Sequence, residues 1–343
     1  MEVVVTGASG NVGTALRRVL GARSGTRVVG IARRVPASGH WVRCDLGDPT
    51  AEDLLTRTFT GVDAVVHLAW AIQPGTDEPA MRRTNIDGSA RVLRAAERAG
   101  VPHVVVASSV AAYSPGRRWE RVGEDWPCGG VTGSAYSEQK AELERMLQDH
   151  SNVARVRPCA VVQPDAAGEV ERWTMSPLLP ASLAGRWWLP VPLWSGLRLQ
   201  LVHAQDVARA IALILRERAV GAFNVASEPV LDADELARAF GGFRVPVPLP
   251  LAHAVAWPTW RVGLQPLHPG WLRLADRAAL VDTGRLRALG WAPRHDARAA
   301  LEEFVEALAA GRGTWGPLAP GGARRWRRLG WGRPARQDQG GDR

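Results

Sequence analysis

Lysine is all but missing from this chain of 343 residues: Lys140 is the single lysine among 43 basic residues, and Tyr113 and Tyr136 are the only tyrosines. Arginine fills every other basic position, so the one lysine stands where a guanidinium would not serve. Cysteine is scarce as well. Cys44, Cys128 and Cys159 are widely spaced and odd in number, which argues for reduced thiols and against a disulfide framework or a zinc site. His253 and His268 lack ligand spacing, so no metal is expected. Long apolar runs are absent. The longest apolar neighbourhood, Leu249 to Trp257, is broken by Pro250 and His253 and stopped by Pro258, far short of the roughly 20 residues that cross a bilayer. Val3 to Val5 meet a glycine turn at once, leaving no room for the basic and apolar regions of a signal peptide. No transmembrane segment is expected, and a cytoplasmic location is.

The net charge of +9 is unevenly spread. Residues 311–343 carry eight arginines against Asp338 and Asp342, which leaves 35 basic to 32 acidic residues in the first 310. Specific nucleic-acid binding by the body of the chain is therefore not expected. Residues 311–343, with Arg324, Arg325, Arg327 and Arg328 set among Gly, Pro and Trp, read as a disordered extension that touches anionic lipid or RNA only weakly. The remainder, 46% hydrophobic and 22% charged overall, has the composition of an ordinary globular protein.

The first half alternates short β-branched runs with stretches of helical period. Val3–Val5, Val28–Ile31, Ala64–Leu68, Val104–Ser108 and Ala154–Arg157 read as strands, and Val12–Leu20, Gly88–Ala99 and Ala135–Asp149 as helices. Such alternation predicts an α/β fold, a doubly wound parallel sheet of the Rossmann type over residues 1–164. From residue 165 to 310 the pattern loosens into Pro- and Trp-rich segments, with helices returning at Asp206–Arg218, Asp232–Phe240 and Ala297–Ala310. This segment is expected to be mostly a smaller, irregular substrate-binding domain. Trp187, Trp188, Trp194, Trp257, Trp260 and Trp271 crowd it, either lining a pocket for an apolar or sugar ring or filling the core.

Two motifs carry chemistry. Directly after the first strand comes Thr6-Gly7-Ala8-Ser9-Gly10-Asn11-Val12-Gly13, with glycines three apart where a strand turns into a helix. Glycine there permits a tight turn and a close backbone approach, so that N–H groups and the positive helix end can hold a pyrophosphate. The second strand ends at Ala32-Arg33-Arg34, without the acidic residue that would bind a ribose 2′-hydroxyl. A guanidinium at Arg33 suits a 2′-phosphate, so NADP(H) is favoured over NAD; the alternative is a merely solvated arginine. The second motif is Tyr136-Ser137-Glu138-Gln139-Lys140. Four residues apart on a helix, Tyr136 and Lys140 share a face. A lysine ammonium can hydrogen-bond a ribose and lower the pKa of a neighbouring phenol, which at its ordinary value of about 10 is a poor base near neutrality. Ser109 follows the strand Val104–Ser108, at the carboxyl end where open sheets bind ligands; it either holds a substrate oxygen or simply ends the strand.

Taken together these segments resemble the NAD-dependent epimerase/dehydratase family, the extended short-chain dehydrogenases, over roughly residues 1–305. The glycine spacing, Ser109 with Tyr113 four residues on, Tyr136 with Lys140, Asn85 in Thr84-Asn85-Ile86-Asp87-Gly88, Arg157-Pro158, His203-Ala204-Gln205-Asp206-Val207-Ala208, Phe223-Asn224-Val225 and Leu289-Gly290-Trp291 carry the likeness. The resemblance implies hydride chemistry with Ser109, Tyr136 and Lys140 catalytic. It implies a nicotinamide dinucleotide held by Gly7, Ser9, Gly10, Asn11, Val12, Gly13, Arg33, Asp45, Leu46, Leu68, Ala69, Asn85 and Lys140. It also implies a small-molecule substrate and allows a homodimer. Dehydratases of the family place an acid pair after the catalytic Ser or Thr, where this chain has Val110 and Ala111, so dehydration is disfavoured. Nucleotide-sugar epimerases often place an arginine at the position of Leu199, with Arg198 here one step away. The expected activity is hydride transfer at a carbonyl or hydroxyl carbon. A nucleotide-sugar epimerase retaining NAD, and an NADP(H)-sensing protein without turnover, remain as alternatives.

Overall fold

A β-branched run forms a strand most readily when both of its faces can be covered. The computed structural model describes residues 1–72, 78–174 and 181–320. In it seven strands form one sheet: β1 (Glu2–Thr6), β2 (Arg27–Ala32), β3 (Trp41–Arg43), β4 (Ala64–His67), β5 (Val104–Ala107), β6 (Val153–Pro158) and β7 (Gly221–Val225). All pairings are parallel, and the order across the sheet is β3-β2-β1-β4-β5-β6-β7. β1 is central, with Val4 opposite Val29 on one side and Val65 on the other.

Helices α1 (Asn11–Gly21), α2 (Ala51–Phe59), α3 (Gly88–Arg98), α4 (Ala135–Met146) and α5 (Ala204–Glu217) cover the two faces. Alternation along β1 sends Val3 and Val5 into a core shared with Leu16 and Leu20 of α1 and Ile211 of α5, and Val4 into a second core with Leu55, Phe59, Val92 and Leu93. Full burial of each such side chain contributes about 1.5–3 kcal/mol. The helix expected at Ala135–Asp149 ends at Met146, and the strand expected to reach Leu68 ends at His67; both are differences of element ends only.

Within residues 165–310, α5 packs against α1 and β7 completes the sheet edge beside β6, so this segment shares the core of the first half. The rest builds a third core in which Leu201, Leu231 and Leu236 meet Leu301, Phe304 and Leu308 of the helix Ala297–Ala309. Asp206, fully buried, ties this part to the sheet: its carboxylate accepts the backbone N–H groups of Arg294 and His295 at 3.0 Å each and pairs with Arg209. Residues 311–320, the start of the expected extension, touch the body of the chain at a few points. Leu318 is buried and Trp315 meets Trp41 edge to face at 5.9 Å. Residues 321–343 lie outside the described residues.

Candidate active site

The strand order reverses between β1 and β4, and the ground beyond the carboxyl ends of strands at such a switch point is the crevice in which open α/β sheets bind ligands. Gly7 has φ +66°, and a Cβ there would lie 2.6 Å from the Ala69 nitrogen, so only glycine lets the loop lie against Leu68 and Ala69. A Cβ on Gly13 would fall 2.3 Å from the Gly7 carbonyl oxygen, which fixes close packing of α1 on β1. Gly10 differs: its Cβ would meet nothing of the protein nearer than 3.4 Å. Gly10 also leaves α1 without a side-chain cap, so the first N–H groups of the helix, including those of Asn11, Val12 and Gly13, are free to face an anion. Asn11 donates to the Val161 carbonyl, while its own side-chain oxygen is buried without a partner. Ser9 is buried in the same loop. A cradle left empty of side chain and lined with unspent amides fits a dinucleotide pyrophosphate.

The other expected cofactor residues are placed unequally. Arg33 is exposed at the end of β2. Asp45 is exposed and accepts the Gly47 N–H at 3.0 Å. Leu46 is buried against Gly88, and its carbonyl already accepts from Arg91 at 2.9 Å. Asn85 lies in a single π-helical turn, Arg83–Asp87, just before α3. Its amide exchanges two hydrogen bonds with the backbone of Ala71, at 2.7 and 3.0 Å, and donates to Gln139 at 2.8 Å. Its side chain therefore braces the loop after β4 and is fully engaged within the protein.

On the far side of the crevice, α4 presents Tyr136 and Lys140 toward the end of β5. The Ser109 hydroxyl accepts the Ala111 N–H at 3.1 Å and donates to the Pro158 carbonyl at 3.4 Å, and it lies near enough to the Tyr136 phenol to act on its titration. Burial raises the Tyr136 pKa above its ordinary value, and the nearby Ser109 hydroxyl partly offsets this. Lys140 is buried, donates to the Ala107 carbonyl at 2.9 Å and sits 3.5 Å from the centre of the Trp70 indole. Desolvation pulls its pKa down to about 7, against the pull of Glu144 one turn further along α4. Behind it His67 is held neutral by burial and by Lys140, with a pKa of about 3, between Thr6 at 2.7 Å and Ser89 at 2.9 Å.

Two neighbours, Trp70 and Glu144, were not singled out from sequence. Trp70 covers Lys140, while Trp271, one of the six tryptophans of the second half expected to line a pocket or fill the core, tilts against the Tyr136 ring with centroids 5.0 Å apart. Glu144 anchors Arg157 through two bonds of 2.7 and 2.8 Å; its position eight residues after Tyr136 and four after Lys140 is the signal that could have found it. Tyr113, four residues after Ser109, bonds elsewhere. Its hydroxyl accepts from Arg157 and donates to Asn224, both at 2.7 Å, and burial lifts its pKa to about 12.

A doubly wound sheet with a glycine loop at its switch point, facing a Ser, Tyr and Lys cluster, defines a dinucleotide-binding protein of the short-chain dehydrogenase kind. The chain belongs to the NAD dependent epimerase/dehydratase family, whose model matches residues 3–226. An uncharacterized protein of Mycobacterium tuberculosis is 29% identical over 316 residues, covering 90% of this chain and 30% of that protein; the chain thus spans under a third of that relative's length. A 3 beta-hydroxysteroid dehydrogenase/Delta 5-->4-isomerase of the same species is 27% identical over 183 residues, 47% of this chain and 45% of the relative. Among solved structures, Thermus thermophilus UDP-glucose 4-epimerase in complex with NAD has a TM-score of 0.66 at 23% identity, over 90% of this chain and 99% of that one. A human epimerase family protein with NADPH has a TM-score of 0.68 at 23% identity, over 89% and 99%.

Proposed function

We propose that the chain is an NAD(P)-dependent oxidoreductase acting at a carbonyl or hydroxyl-bearing carbon of a small cyclic substrate. The observation that carries this is the placement of Tyr136 and the buried Lys140 one turn apart on α4, with Lys140 bonded to the Ala107 carbonyl at the end of β5, where Ser109 follows. Bound beneath the glycine loop, the nicotinamide would supply or accept the hydride. Ser109 orients the substrate oxygen, and Tyr136 gives that oxygen its proton in reduction or takes it in oxidation. Lys140 offsets the charge of the phenolate. Trp271 walls the substrate side of Tyr136 with a flat apolar surface suited to a ring, and the steroid dehydrogenase named above is a relative that points the same way.

Two further observations refine the reading. Arg33 is exposed beside the adenosine end of the crevice, with no carboxylate at its strand end, which favours NADP(H). Arg198, the residue nearest to a diphosphate clamp, is buried and bonded to the carbonyls of Asp276 and Ala278 at 2.9 and 3.3 Å; that disfavours a nucleotide sugar. Purified protein titrated with NADPH, NADP⁺, NADH, NAD⁺ and UDP-glucose tests both points. Tighter binding of the phosphorylated pair with no UDP-glucose binding is expected, whereas firmly held NAD⁺ together with UDP-glucose binding makes the protein an epimerase. Tyr136→Phe should abolish turnover and spare cofactor binding; retained turnover removes Tyr136 from the mechanism.

A further inference from the structure

The helix Leu249–Arg261 is built inside out. In a surface helix the apolar stripe faces the core and the polar residues face water. Here no residue of the helix is fully buried, and the outward face is the apolar one. Leu251, Val255 and Pro258 fall at i, i+4 and i+7, and the row runs on to Val262; Leu251 and Val255 are each 53% exposed, and Val262 is 69% exposed. Trp257, on the adjacent row, is 58% exposed, while His253 and Thr259 point to the more covered side. The strand that leads into the helix, Phe243–Pro246, pairs in parallel with Pro190–Leu193, and exposed Phe243 and Trp187 flank that pair. Of the fourteen large apolar side chains exposed among the described residues, nine lie between residues 187 and 264, all but Val220 of them in the segments 187–188 and 243–264. Exposed apolar surface gathered in this way marks an interaction site.

The charge around the patch selects the partner. Between Glu235 and Asp276 the sequence contains Arg238, Arg244, Arg261 and Arg273 and no acidic residue, and between Glu171 and Asp206 it contains Arg172, Arg186 and Arg198 and again none. Of these, Arg186, Arg238, Arg261 and Arg273 are exposed, whereas Arg198 is buried, Arg172 donates to the carbonyls of Pro317 and Ala319, and Arg244 is partly neutralised by Asp234 at 2.9 Å; the exposed charges on both limbs of the chain around the patch are positive. A second copy of the chain would bring like charges face to face, and a water-facing role would leave Trp257 and its neighbours hydrated at a cost. An exposed Trp, an apolar helical face and arginines at its margin match a bilayer interface, where the indole sits at headgroup level and basic residues meet anionic phosphates.

We propose that the face formed by Leu251, Val255, Trp257 and Val262 docks the protein on an anionic phospholipid surface, the helix lying in the plane of the headgroups without crossing. Beyond the helix the chain leads straight to the active site. Trp260 stacks edge-on to His268 at 4.6 Å, Gly270 lies against Gly133, and Trp271 lies on Tyr136. Docking sets the mouth of the site close to the lipid.

The test is flotation of the full chain with vesicles of phosphatidylcholine alone and of phosphatidylcholine with phosphatidylglycerol. Wild type is expected to float with the anionic vesicles at least roughly tenfold better than with the neutral ones, and to be released by high salt. The pair Val255→Glu and Trp257→Glu should lose roughly tenfold or more of that binding, while Val220→Glu, at a site 51% exposed elsewhere, should not. If the glutamate pair melts early, Leu251→Ser with Val255→Ser makes the same comparison. The proposal is overturned by absence of flotation, or by equal binding to neutral vesicles. It is equally overturned by binding that survives the helix substitutions, which would lodge in basic residues elsewhere such as 311–343. A wild-type dimer that the substitutions turn into monomer, with no flotation, would instead make the face a contact between copies.

Discussion

Lys140 concentrates the site's electrostatics in one side chain. Desolvation lowers its pKa from 10.5 to about 7, so the folded chain loses this proton more readily than the unfolded one. The sign follows: the buried ammonium costs stability in full below pH 7, and the cost fades as pH rises from 7 toward the unfolded value. The same titration should appear in catalysis. Reduction needs a neutral Tyr136 to donate and a charged Lys140 to steady the phenolate, so kcat/KM for carbonyl reduction should fall as pH rises through about 7. Lys140→Arg, always charged, should be slower but free of that limb; a limb unchanged in the variant would assign it elsewhere. Trp70 contributes through its π face at 3.5 Å, an attraction of roughly 2 kcal/mol when desolvated. Trp70→Leu should therefore move the limb to lower pH, and Trp70→Phe should move it less. At this scale the sequence was informative where residues sit one turn apart, as Tyr136 and Lys140 do. It was silent about Trp70, which reaches Lys140 only because β4 and β5 lie side by side, and about Tyr113, whose hydroxyl turns toward Asn224 on a strand far along the chain.

At the scale of elements, the strand, glycine loop and α1 form a unit whose three glycines have separable duties. Gly13→Ala places a Cβ 2.3 Å from the Gly7 carbonyl oxygen and 2.7 Å from the Ala8 Cα, so helix and strand must part, at a cost of about 1–3 kcal/mol. Gly10→Ala meets no such obstacle, since its nearest neighbour is 3.4 Å away and its φ of −83° suits any residue. Its melting temperature should match wild type while NADPH affinity falls roughly tenfold or more, a loss of about 1.4 kcal/mol. Equal affinity with equal stability would mean that the phosphate lies away from Gly10. Arg33→Ala, at the end of β2, should weaken NADPH binding roughly ten- to a hundredfold through the loss of about 1.5–3 kcal/mol of charge-assisted hydrogen bonding, and leave NADH binding nearly unchanged. The alternation of β-branched runs with helical period made this unit legible, because each run is long and its partner elements follow at once. β3, only three residues long, and β7, which joins the sheet after an irregular excursion, offer no period of their own. The helix Leu249–Arg261 was hidden by its prolines: Pro250 is tolerated in the first turn, and Pro258 sits where only the exposed face loses a hydrogen bond.

Across the whole molecule, the sheet, α4 and the C-terminal part are knitted by one buried polar network. Arg157 on β6 holds Glu144 of α4 through both carboxylate oxygens, and donates to the Tyr113 hydroxyl and the Glu124 carbonyl at 2.7 Å each. Tyr113 passes the chain to Asn224 of β7, which donates to the Asp282 carbonyl at 3.0 Å. Arg157 and Glu144 are 3% and 1% exposed, so neither finds water if its partner is lost. Glu144→Gln leaves a buried guanidinium without its counter-charge and should cost about 3–5 kcal/mol, read as a lower urea midpoint at pH 7. The pH dependence separates this from a packing defect. Burial pushes the Glu144 carboxyl up, but the hydrogen bonds and charge of Arg157 outweigh it and hold the pKa below its ordinary 4.5. A depressed carboxyl contributes stability that is complete above the unfolded value and is lost as pH falls through the lower folded value. Wild type should therefore weaken steadily below about pH 4.5, and Glu144→Gln, already without the contribution, should show a shallower decline over the same range. Parallel declines would mean that the network is neutral to protons and that acid sensitivity arises from other carboxylates. Glu144 also supports the Lys140 charge from one turn away, so the variant should shift the catalytic limb to lower pH as well, which a loss of packing alone would not do.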